Sequence, residues 1–108
     1  MRTLLISTID QMNQSKHMEK LLKKHQLHLC VISEDESWNI SFERDLVYLT
    51  SLHIDQPDVV IEGDEDILKQ LFLGEDFLLA MNRRRDLGVK GSLRKLLWVE
   101  SLLYLANK

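Results

Sequence analysis

The sequence predicts an α+β domain: a mostly antiparallel sheet of about five strands with helices packed on one face. Three observations carry this. Apolar residues recur at helical spacing at both ends of the chain and at strand spacing in between. The segments fall in blocks, with a helical region, four strands, two helices, a strand and a final helix, which favours segregated layers over alternating βα units. The three strands before Pro57, the only proline, are joined by short turns, and short turns require antiparallel neighbours.

From Leu4 to about His25, Leu5, Ile9 and Met12 and then Met18, Leu21 and Leu22 follow helical spacing. The polar run at 13–15 divides this region into two helices, with Ser15 placed to cap the second. LHLCVIS, residues 27–33, has strand character. EDES at 34–37 supplies a turn, and WNISFE then alternates, with Trp38, Ile40 and Phe42 on one face and Asn39, Ser41 and Glu43 on the other. A turn at 43–45 leads to LVYLTSLHI, 46–54, rich in β-formers, and DVVIE, 58–62, is the fourth strand.

All four glycines lie between residues 63 and 91. Gly63 ends a strand. Asp64 is then a good N-cap, with Glu65 and Asp66 in a first turn where the helix dipole favours negative charge. Ile67, Leu68, Leu71 and Phe72 form the apolar face of that helix, and Gly74 is placed to end it. A second helix spans roughly 75–83, with Phe77 and Met81 one turn apart. LGVKG, 87–91, is the fifth strand, and Ser92 caps a last helix to about Ala106.

Composition bounds the function. With 108 residues the chain is one domain, 1–108, and 44% hydrophobic with 29% charged residues describes a soluble globular protein. A net charge of −3, with no aromatics interleaved among basic residues, argues against nucleic-acid binding. The short N-terminal apolar run is interrupted by Asp10 and is too short for a membrane span, so the expectation is a cytoplasmic protein. Cys30, the single cysteine, reads as a small core residue. His17, His25, His28 and His53 have no metal-ligand spacing, and neither a phosphate-binding glycine loop nor a serine nucleophile elbow occurs. The carboxylates at 62–66 read as a helix cap. Arg83, Arg84 and Arg85 read as a solvated helix end, with anionic lipid or an acidic ligand head group as the alternative they leave open. Nothing in the pattern asks for a cofactor or supports an enzyme.

Residues 58–97 carry a more specific pattern. A strand runs into an acidic helix start, VVIEGDEDI; the helix ends at Gly74; after a second short helix comes an apolar-x-Val-x-Gly strand, LGVKG, and an apolar helix. This pattern resembles the C-terminal half of the sterol carrier protein 2 family of lipid-binding domains. Upstream, LHLCVI and WNISF agree in order. Where the family has a glycine before the last strand, this chain has Arg85.

The resemblance implies non-catalytic binding or transfer of a fatty acid, acyl thioester or sterol-like lipid between sheet and helices. The residues it implies as lining are Trp38, Ile40, Phe42, Leu71, Phe72, Phe77, Met81, Val89 and Leu97. Contact with a membrane surface would be transient at most. The final helix leaves an alternative open. Trp98, Val99, Leu102, Leu103, Tyr104 and Leu105 spread around nearly its whole circumference, so it must be covered on more than one side. Other helices, a lipid, a second copy in a homodimer, or another protein would each serve. The chain is then either a carrier or an interaction module.

Overall fold

A computed structural model describes residues 1–15, 19–24, 26–34, 36–43, 46–51 and 54–107. His17, Met18, His25 and His53 lie outside the described residues, so the readings placed on them have no structural counterpart. Helix α1 (Arg2–Gln14) buries Leu5, Thr8, Ile9 and Met12, the single face its spacing predicts. Ser15 was expected to open the next helix. Instead it closes α1, in extended conformation, with its backbone N–H donating to the Gln11 carbonyl at 3.1 Å. Helix α2 (Glu19–Lys24) follows.

Strands β1 (Leu27–Ser33) and β2 (Glu36–Glu43) form a hairpin in which Ser33 lies opposite Glu36 and Leu27 opposite Phe42. Strand β3 (Leu46–Thr50) pairs antiparallel with β2, and β4 (Val59–Glu62) runs parallel to β1 on its other side. The order is β3-β2-β1-β4-β5, with β5 (Gly88–Lys90) antiparallel to β4. The sheet is therefore mixed and mostly antiparallel. Its outer strand β3 is tied to α1 by Asn13, whose side chain donates to the Val47 carbonyl at 2.8 Å and accepts from the Val47 N–H at 2.9 Å. The amide thus stands in for a neighbouring strand at an edge that would otherwise be open there.

Helix α3 (Glu65–Phe72) buries Leu68, Leu71 and Phe72. Asp64 occupies the N-cap position as expected, but its side chain makes no capping hydrogen bond. At the other end Gly74 adopts φ 76°. Its N–H reaches the Leu71 carbonyl at 3.1 Å, and the Glu75 N–H reaches that of Gln70 at 2.9 Å. This is a Schellman closure, and it needs a left-handed residue at Gly74. A side chain there would also collide with Asn107, whose Cβ lies 2.7 Å from the position a Cβ would take.

Helix α4 is Leu78–Arg83, shorter than the predicted 75–83. The Asp76 carboxylate accepts from the Phe77 N–H at 2.8 Å and holds Phe77 extended, outside the helix. Helix α4 ends in the same closure as α3: Arg85 N–H to Asn82 at 3.0 Å and Asp86 N–H to Met81 at 2.9 Å. The left-handed residue here is Arg85, at φ 65°. Helix α5 (Leu93–Ala106) starts as predicted, with Ser92 Oγ accepting from the Lys95 N–H at 3.3 Å.

Helices α1, α3 and α5 meet the face of the sheet that presents Leu29, Ile40 and Phe42. Helix α5 buries Leu96, Val99, Leu102, Leu103 and Ala106 against this core, and α1 and α4 pack on its flanks. Neighbouring helices thus take up most of the apolar circumference that the sequence left unassigned.

Candidate functional site

The residues that resemble a lipid lining separate into three groups. Ile40, Phe42 and Phe72 converge, with Leu5, Ile9, Met12, Leu29, Val99 and Leu103, on a gap between sheet and helices of only about 10 Å³. Trp38, Leu71 and Met81 are buried, and Val89 is half-buried on β5. Phe77 and Leu97 do not face this layer at all. Phe77 is 51% exposed and lies against the Tyr104 ring at 6.1 Å, and Leu97 is 45% exposed on the outer side of α5. Asp76 turns the first outward by starting α4 after it; the second follows from α5 burying the opposite side.

More open spaces lie elsewhere, the widest among the described residues at about 480 Å³ beside Gly63, Asn82 and Leu87. A cavity of about 300 Å³ sits between the first turns of α5 and the start of β1, lined by Gln26, Leu27, Arg94, Lys95 and Trp98. Leu27 and Trp98 supply its apolar wall, and Arg94 and Lys95 its charge. Lys95 Nζ pairs with Asp58 Oδ1 at 2.6 Å, while Asp58 Oδ2 accepts from the His28 N–H at 2.8 Å. Burial pulls the Asp58 carboxyl upward, but the bonds from Lys95 and from the His28 N–H outweigh it and hold it below its ordinary value. Asp58 therefore fixes one cation of the cavity to the β1–β4 seam. Arg94 is exposed and makes no ion pair among the described residues.

The cavity and the closed gap share a wall. Trp98 stands edge-on to Phe42 with ring centroids 5.3 Å apart, and Phe42 lies opposite Leu27 in the β1–β2 register. Phe42 lines the gap; Trp98 and Leu27 line the cavity.

Sequence reasoning passed over Gln26, Leu27, Arg94, Lys95 and Trp98 as lining residues. One signal was present: Arg94 and Lys95 occupy the first turn of a helix, where the dipole disfavours cations, and no acidic residue shares that turn. On the face of the sheet away from α1 and α5, His28 Nδ1 lies 3.1 Å from Ser41 Oγ. Cys30 is also on this face and half-buried, not in the core as expected, and burial pushes its thiol pKa up, away from the reactive thiolate.

No protein-family model and no curated protein matches the sequence. Solved structures do match the fold. A UbiJ-SCP2 ubiquinone synthesis protein superposes with a TM-score of 0.74 at 19% identity, covering 94% of this chain and 89% of that one. A crystal structure of sterol carrier protein 2 gives 0.68 at 14% identity over 98% and 95%. Apo sterol carrier protein 2 from Yarrowia lipolytica gives 0.65 at 21% over 95% and 88%. The chain has the sterol carrier protein 2 fold.

Proposed function

We propose that this protein binds, without catalysis, an apolar molecule with an anionic head, of the fatty-acid class, and that it does so through the cavity beside α5. The observation that carries the reading is the composition of that cavity: an apolar wall of Leu27 and Trp98 beneath Arg94 and Lys95 at a helix N-terminus. The head group meets Arg94 and the positive end of the α5 dipole. The tail lies along Leu27 and Trp98 and, by displacing the Trp98 ring from Phe42, enters the layer between sheet and helices. Like-folded proteins are named as sterol carriers and as a ubiquinone synthesis protein, names that also concern apolar molecules.

At about 30 Å³ per water-sized group, the cavity takes on the order of ten methylene-sized groups, whereas the gap behind Phe42, at about 10 Å³, holds none until the layer between sheet and helices opens. At ~0.8 kcal/mol per buried CH₂, fifteen methylenes supply on the order of 12 kcal/mol before ordering costs. That suffices for micromolar affinity or better with one charged contact. The lining offers charge and apolar surface, and its one nucleophilic group, the Lys95 amine, is held in an ion pair with Asp58, which supports a carrier over an enzyme.

The test is displacement of a fluorescent fatty-acid probe. Long-chain fatty acids should displace it more strongly than short ones, and more strongly than the alcohols of equal length. Displacement independent of chain length, or no probe binding, would refute the proposal.

A further inference from the structure

Lys95 reaches the cavity already engaged. Its Nζ lies 2.6 Å from Asp58 Oδ1, and the second oxygen of that carboxylate accepts from the His28 N–H at 2.8 Å. Asp58 is held from the backbone too, since its own N–H donates to the His28 carbonyl at 2.8 Å. The start of α5 is seated on the same residue. Gly91, at φ 142°, brings the chain so close that a Cβ there would lie 2.8 Å from the Asp58 carbonyl oxygen. Ser92 then caps the helix on the Lys95 N–H. The acid is thus built into the junction of β1, β4 and α5, and the lysine arrives at it with the helix.

The two cations of the cavity are therefore not equivalent. Lys95 is neutralised by Asp58, whereas Arg94 makes no ion pair among the described residues. Arg94, Lys95 and Asp58 together leave one positive charge. From this arrangement we infer that Asp58 determines specificity: it sets the cavity to take singly charged heads, such as a carboxylate, and to discriminate against doubly charged ones, such as a phosphate monoester, on the same apolar chain. This specificity rests on the proposed ligand binding and fixes which anion that site takes.

Attraction to the site grows in proportion to the head's charge, while the cost of taking the head out of water grows as its square. Against one uncompensated cation, a second negative charge adds as much attraction as the first but roughly three times its desolvation cost. A carboxylate suits the single contact, because its two oxygens match the fork of the Arg94 guanidinium. A phosphate would need both cations to close on it. Lys95 can join only by leaving Asp58, which uncovers a carboxylate, its side chain 27% exposed, beside the incoming dianion. Asp58 thus acts on the head group through Lys95, without touching it.

Displacement of the fluorescent fatty-acid probe by a fatty acid and by the alkyl phosphate of equal length tests the inference. At about pH 8 the phosphate, with a second pKa of about 6, carries two charges. The wild type should prefer the fatty acid. Asp58→Asn keeps an oxygen for the His28 N–H and frees Lys95, so the ratio of phosphate to fatty-acid affinity should rise about fivefold or more, the scale of a partly exposed ion pair. Lys95→Gln leaves the carboxylate uncompensated, so the same ratio should fall; this variant carries the test alone if Asp58→Asn does not fold. Opposite shifts at the two positions separate charge from cavity shape. A wild type that prefers the alkyl phosphate would overturn the inference. So would a ratio unchanged by either variant, and a chain-length-dependent displacement would then leave the binding itself standing. No probe binding by the wild type would remove both.

Discussion

Replacing Arg85 by glycine should make this protein more stable, although it deletes a whole side chain. Arg85 is the left-handed closing residue of α4, at φ 65°, with its N–H on Asn82 and that of Asp86 on Met81. A residue with a Cβ gives up about 1–2 kcal/mol in that conformation. Glycine gives up none of this but loses roughly 0.5–1 kcal/mol through the greater freedom of its unfolded chain. The difference leaves about 0.5–1 kcal/mol in favour of Arg85→Gly. In urea that moves the midpoint up by about half a molar unit, and on heating by about 3–6 °C. Arg84 is the control. It has ordinary helical φ of −78° and its guanidinium joins Asp76 and Asp86, so Arg84→Gly should destabilise. Opposite signs at adjacent arginines are the signature of the closure. A loss of stability in Arg85→Gly would refute it.

Other substitutions follow from the same packing. Met81→Ala should cost roughly 2–5 kcal/mol in denaturant unfolding, because the side chain is wholly buried, while probe affinity stays unchanged, since Met81 is not part of the cavity. Gly74→Ala should lose about 1–3 kcal/mol, combining the left-handed φ with the collision against Asn107. The Asp58 carboxyl is held below its ordinary 3.8, so its contribution to stability is complete above that value and is lost as pH falls through the lower folded value. Asp58→Asn should flatten that part of the acid limb in urea midpoints measured against pH. By releasing Lys95 it should also tighten binding of fatty acids but not of the equivalent alcohols.

Local signals transmitted well from sequence to structure where one residue decides an outcome. The left-handed turn at Gly74, the Ser92 cap and the span of β1 depend on neighbours within a few positions, and each appears where it was read. The parallel placement of β4 beside β1 was not legible, because it depends on packing between segments some thirty residues apart. Leu97 and Phe77 illustrate a different limit. A helix apolar all round gives no sign of which side will face the core, so Leu97 and Val99 look alike until α1 and α4 take their places. Phe77 has helical spacing to Met81, yet one carboxylate two atoms of backbone away moves the helix start past it. The cavity combines residues 26–27 with 94–98, a pairing that only the fold creates. Its one advance sign was local: cations in a first turn that favours acids.

Native mass spectrometry of the purified protein, before and after incubation with a long-chain fatty acid, tests the central claim most directly. The account predicts one fatty-acid mass increment per chain, retained by Met81→Ala and weakened when Arg94 is replaced by glutamate. A protein that gains no such increment, or that gains it equally with Arg94→Glu, would contradict the assignment of the cavity beside α5 as the ligand site.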